Sequence, residues 1–359
     1  MLKPSGDPTM ALALSERQRT VLITIVQHYI LAGDPVGSRT VARKCGLNLS
    51  PATIRNAMAD LEEIGLITQP HASAGRVPTD LAYRYYVDSL TSIPQLQTND
   101  LKALTQSVPS EVERIESLLE HTSLLLSQLS QHAGLVFTPR LSTIVLKQVT
   151  FTRLKSTQVL AVLVSEAGTT HTKAVKLDED LSQDTLTEMG NFLTSELEGL
   201  SLSEIRSKVL EQMAEEKAEY DALFQRAMAL YDQAFGQEVD ESTGEVIVEG
   251  ASNILNSPEL QRDIEKMRAI FEAFEDKSRL VRLLDRCLSS EDICVFIGEE
   301  SEIKGLDDLS VVSQSYRVGD RPMGAVGIMG PKRMEYARVM ALVDYTANTL
   351  SRLLSGEPV

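Results

Sequence analysis

Apolar positions recur at helical spacing through the first third of the chain. Leu22, Ile25, Val26, Tyr29 and Ile30 form one face of a predicted helix, which starts at the capping box Ser15–Gln18 and stops at Gly33. Asp34-Pro35 imposes an extended link. Ser38 is the expected N-cap of a second, short helix over Arg39–Cys45, closed by Gly46. A third helix opens with Ser50 as N-cap and Pro51 at the first position, where a missing N–H costs nothing. Ile54, Met58 and Leu61 face inward, so Ala52, Arg55, Asn56 and Ala59 fall on the opposite face. After Gly65, Leu66–Thr68 has strand character, and Gln69–Thr79 predicts a turn with Gly75 at positive φ. Three helices followed by a hairpin predict a winged helix-turn-helix over residues 11–90.

Beyond it the period changes twice. Tyr83, Tyr85 and Tyr86 are expected to pack the head on its linker, and residues 91–135 form a linker with a connecting helix over Glu111–Gln131. Strand-like runs occupy 142–176, a helix covers Leu186–Leu197, and strands resume only at Ile293–Ile297, Val311-Val312 and Gly324–Met329 before a final helix opened by Pro331. The fold class predicted is multidomain α+β: a sheet domain in two parts, 136–200 and 289–356, interrupted by a helical insertion, 201–288. Within the insertion, Tyr220, Phe224, Ala227, Tyr231 and Ala234, then Leu260, Ile264, Met267, Phe271 and Phe274, form two apolar seams. Seven of these (Tyr220, Phe224, Tyr231, Leu260, Ile264, Met267 and Phe271) are expected at a subunit interface, because a small helical unit buries too little surface alone. Packing of the seams on each other or on the sheet is the alternative.

Charge sharpens this division. The chain carries a net −16, yet residues 1–90 sum to +1 and the remainder to −17. An acidic body repels phosphate, so a nucleic-acid-binding head is expected to project away from it. The exposed face of the third helix has the chemistry for that role: arginine bonds guanine twice, asparagine bonds adenine twice, and alanine meets a thymine methyl. The expected DNA-contacting set is Ser38, Arg39 and Thr40, then Ser50, Ala52, Thr53, Arg55 and Asn56, and at the wing His71, Ser73 and Arg76.

Other chemistries find little support. The five histidines lack metal-ligand spacing, and there is no nucleophile elbow or phosphate loop, so no catalytic residue, metal or cofactor is expected. Cys45, Cys287 and Cys294 form no disulfide or zinc framework, and each is expected to be a buried, inert thiol. Gly330-Pro331-Lys332-Arg333 resembles an anion-holding helix start, but tight turns around a buried strand are the expected role of its glycines. No apolar run approaches the ~20 residues that span a bilayer, and nothing directs export, so a cytoplasmic protein without membrane contact is expected.

Two blocks of motifs carry a resemblance. Asp34–Thr40, Ser50–Asn56, Gln69-Pro70-His71 and Ser73–Thr79 form the first; Phe296–Glu300, Gly324–Gly327 and Gly330–Tyr336 form the second. Together they resemble the bacterial HrcA heat-inducible repressor family from about Leu14 to Leu354. Two positions depart from the family pattern: Ala82, where glycine is usual, and Lys332, where threonine is common. The resemblance implies a GAF-like sheet domain interrupted by a dimerisation insertion. It implies a homodimer on an inverted-repeat operator ahead of dnaK- and groE-type chaperone operons, released by heat and maintained by a GroEL-type chaperonin. A ligand- or redox-responsive regulator sensing through the GAF-like domain, with Cys287 and Cys294 as a candidate redox pair, is the alternative.

Overall fold

A computed structural model describes residues 14–46, 49–72, 74–90, 93, 95–107, 115–138, 145–165, 170–177, 180–201, 204–205, 222–231, 233–234, 245–255, 257, 263–275, 277–288, 290, 292–319 and 321–355. The head contains α1 (Glu16–Ala32), α2 (Ser38–Lys44), α3 (Pro51–Glu63), β1 (Ile67–Thr68), β2 (Val77–Pro78) and α4 (Asp80–Ser89). Its caps follow the chain's own signals. Ser15 and Gln18 form the capping box of α1, Gly33 ends that helix at φ 75°, and the Ser50 side chain accepts from the Thr53 N–H. Two local expectations change. Gly37, not Ser38, is the N-cap of α2, and Ser38 is that helix's first residue. Gly75 is required for close approach rather than positive φ, since a Cβ there would lie 2.6 Å from the Val36 carbonyl carbon.

The body is a three-layer unit. β3 (Ala133–Thr138), β7 (Glu245–Glu249), β8 (Cys294–Ile297), β9 (Leu309–Val318) and β10 (Arg321–Pro331) form an antiparallel sheet in the order β7-β3-β10-β9-β8. Alternation along the strands sends side chains to two cores. Val136, Val295, Ile297, Val312, Val326 and Ile328 join α6 (Ile115–Ser130), α12 (Tyr336–Leu354) and the head. Leu135, Phe137, Cys294, Phe296, Val311 and Met329 face the other way, with α9 (Ala251–Leu255), α10 (Ile264–Glu275) and α11 (Lys277–Leu288). Helix α5 (Thr98–Ser107) is pinned to α12 by Asp100, whose carboxylate accepts from Arg338 at 2.9 and 3.0 Å. Those hydrogen bonds, against some opposing burial, hold the Asp100 carboxyl below its ordinary range.

The interruption lies earlier in the chain than the sequence pattern predicted. Among the described strands, β4 (Leu146–Lys155), β5 (Gln158–Ser165) and β6 (Thr170–Lys176) pair only with one another, and α7 (Gln183–Leu197) and α8 (Ala222–Tyr231) cover one side. The segment between β3 and β7 is therefore the inserted unit. β7, α9, α10 and α11 belong to the body, as an edge strand and a helical layer. Strand periodicity shows which residues alternate but not which strand they pair with, and this accounts for the misplaced boundary. Among the described residues no helix is long and apolar enough to cross a membrane.

Candidate nucleic-acid interface

Helix α3 lies on α1, α2 and β1 through Ile54, Ala57, Met58 and Leu61, all buried. The opposite face carries Ala52, Arg55, Asn56 and Ala59, all exposed, as the helical spacing requires. Arg55 and Asn56 make no hydrogen bond or ion pair to other described residues, so their bidentate edges are available to bases. Ser50 and Thr53 are partly committed to the cap: their hydroxyls lie 3.0 Å apart, and the Thr53 N–H meets Ser50 at 3.2 Å. In the first turn of α3, Pro51 has no N–H and that of Thr53 is taken by Ser50, so the Ala52 N–H is the one left for a phosphate lying beside it. On α2, Arg39, Arg43 and Lys44 are exposed, with Ser38 and Thr40 half-buried beside them. Asp60 and Glu63 are exposed in the second half of α3, away from its positive end.

The wing is held rather than free. The Val36 and Arg76 backbones exchange hydrogen bonds of 2.8 and 2.9 Å, and the Gln69 amide donates to the carbonyls of Ala72 and Ala74. The Arg76 guanidinium grips Glu62 at the end of α3, at 2.9 Å through Nε and 2.8 Å through Nη2. Arg76, expected among the DNA contacts, is here bonded to Glu62, which ties the wing to α3. His71 is exposed at the tip, and Ser73 lies outside the described residues.

Contrary to the expected stand-off, the head docks on the body. Arg84 of α4 is 4% exposed and donates to Glu300 through Nε at 2.9 Å and through Nη2. It also reaches the Val295 carbonyl at 2.6 Å and Asp88 at 3.5 Å. Burial opposes its charge, but the hydrogen bond and Coulombic pull of Glu300, helped by Asp88, outweigh it. Lys332 pairs with Asp80 at 2.7 Å, and Arg333 donates to the Ile30 carbonyl in the last turn of α1 at 2.9 Å. Gly298, at φ 56°, leaves room for the Asp80 carboxylate, while the Tyr336 ring lies 6.0 Å from that of Tyr83. Thus Phe296–Glu300 and Gly330–Tyr336 are the docking surface for the head, and Lys332 and Arg333 are spent there rather than on an anion. The available signal was Arg84 itself, a charge set among Tyr83, Tyr86 and Val87 on the buried face of α4.

The expected interface residues separate. Tyr231 is 2% exposed inside the inserted unit and is not a surface contact. Ile264 is 80% and Phe271 48% exposed on α10, with Met267 half-buried between them. Phe224 lies on α8, and Tyr220 and Leu260 lie outside the described residues. Cys287 and Cys294 are buried as expected, but Cys45 is half-buried. A hydrogen bond with the Cys294 sulfur, reinforced by burial, holds the Cys287 thiol well above the ordinary thiol range. No cluster of possible metal ligands occurs among the described residues.

Comparison with known proteins accords with this geometry. Residues 13–89 match the family model described as the winged helix-turn-helix transcription repressor, HrcA DNA-binding, and residues 116–340 match the HrcA protein C-terminal domain. The chain is 41% identical over 344 residues to the heat-inducible transcription repressor HrcA of Geobacter sulfurreducens, covering 96% of this chain and 99% of that one. It is also 41% identical to the protein of the same name from Syntrophobacter fumaroxidans, over 95% of this chain and 97% of the relative. A crystal structure described only as a hypothetical protein superposes with a TM-score of 0.58 at 27% identity, over 96% of this chain and 98% of the other. The chain belongs to the HrcA family of heat-inducible transcription repressors, a family of DNA-binding regulators and not of enzymes.

Proposed function

We propose that this repressor binds an inverted-repeat operator as a homodimer, with α3 of each head in the major groove. The observation that carries this reading is the pair Arg55 and Asn56, exposed and uncommitted on the first two turns of a capped helix. Arg39, Thr40 and the α2 cations lie beside it for backbone contact, with His71 at the wing. Arg76 places that wing through Glu62. The operators are those of chaperone operons, in the cytoplasm, with a GroEL-type chaperonin sustaining the active form; family membership supports this part of the reading. Footprinting an inverted-repeat duplex at low and high temperature, with and without chaperonin, tests it. Protection of both half-sites that fades on heating is expected; protection of one half-site, or none, contradicts it.

Two apolar surfaces support a dimer. One is the Ile264–Met267–Phe271 stripe on α10. The other is the outer side of β5, where Leu160, Val162 and Val164 are only half-covered. Sedimentation of Phe271→Asp and Val162→Asp beside the wild type assigns the interface: the substitution in the true interface yields monomers. A wild-type monomer at micromolar concentration rules out the dimer.

A further inference from the structure

We propose that the body fixes the orientation of the reading head and thereby selects the separation of the two half-sites, with Arg84, Lys332 and Arg333 as positioning residues. The proposal rests on the dimeric reading above. A head carried on a loose linker swings and tolerates many half-site separations. This head has little freedom to swing, because its core is continuous with one face of the five-stranded sheet. The three links grip it at different places. Arg84 anchors α4 to Glu300 and the Val295 carbonyl, Lys332 holds Asp80 at the start of α4, and Arg333 caps the end of α1. Helix α3 packs directly on α1, so the direction of its reading face follows from where Arg333 holds that helix. A buried arginine is an expensive way to gain stability, and its three partners, Glu300, Val295 and Asp88, specify one geometry instead.

The test uses the full-length protein with Lys332→Ala/Arg333→Ala, both at partly exposed positions, and separately with Glu300→Gln. Circular dichroism confirms that each variant folds. Spin labels at the exposed positions 16 and 277, in a Cys45→Ser background diluted with unlabelled protein, report the head-to-body distance within one chain. The wild type is expected to give a narrow distribution and the variants a broad one. On DNA, about five inserted base pairs turn one half-site to the opposite side of the duplex. The wild type is expected to lose at least ~10-fold in affinity on that duplex, as avidity fails, and the variants to lose only ~2-fold. Binding to an isolated half-site stays equal throughout. Variants with the wild-type distance and the wild-type spacing choice overturn the positioning role. A wild type indifferent to spacing overturns the dimeric reading, and with it the selection of separation, whatever the labels show.

Discussion

Single side chains divide here into those left free for DNA and those committed to holding them in place. Arg55 is exposed and unpaired among the described residues, whereas Arg76 is bound by Glu62. The two roles give opposite signs in one experiment. A phosphate-seeking Arg76 would be released by Glu62→Gln, and DNA binding would strengthen. A wing-placing Arg76 predicts that Glu62→Gln and Arg76→Ala both weaken binding, with the slope against salt unchanged. Titrations at several salt concentrations decide between them, since losing a phosphate contact lowers that slope by about 1.

At the scale of elements, the turn between α6 and β3 contains a titratable group held in its neutral form. His132 lies against Gly330, where a Cβ would come within 2.8 Å of the ring. Burial, with Arg338 nearby, lowers its pKa from 6.5 to about 4. A depressed histidine binds its proton more readily in the unfolded chain, so its contribution is complete above pH 6.5 and is lost as pH falls toward 4. The full difference is on the order of 3 kcal/mol. Chemical denaturation at pH 7 and pH 5 is expected to show a smaller loss for His132→Gln than for the wild type. Equal losses would place the acid sensitivity elsewhere. Elements were also where the sequence was most legible. The cap at Ser50, the stop at Gly33 and the two faces of α3 follow from local chemistry, and all appear as expected. Gly75 did not, because its reason is the Val36 backbone lying nearly forty residues earlier in the chain, a contact that local pattern does not encode.

The whole molecule depends on pairings across the chain, and there local patterns gave less. The alternation in β4–β6 is plain, but nothing within those residues tells whether they join β9 and β10 or one another. The second motif block was visible as a motif without a job. Its role appears only when Arg84, Asp80 and Ile30 arrive from the head to meet Glu300, Lys332 and Arg333. A head docked in this way makes heat release a property of the body as well. With about 5–15 kcal/mol of stability in a typical domain, loss of the sheet or of the latch within a few degrees disorients α3 without unfolding it. Hydrogen exchange measured against temperature is expected to show β8, β10 and α4 losing protection before α3. The reverse order would place the thermal weakness in the head itself.

The claim on which the account turns is that α3 reads bases through Arg55. Binding of wild type and Arg55→Ala to an operator duplex and to a scrambled duplex of equal length tests it most directly. The account predicts a loss of about 1–3 kcal/mol on the operator, little change on the scrambled duplex, and relaxed choice at the base pair facing position 55. Equal losses on both duplexes would make Arg55 a backbone contact and contradict it.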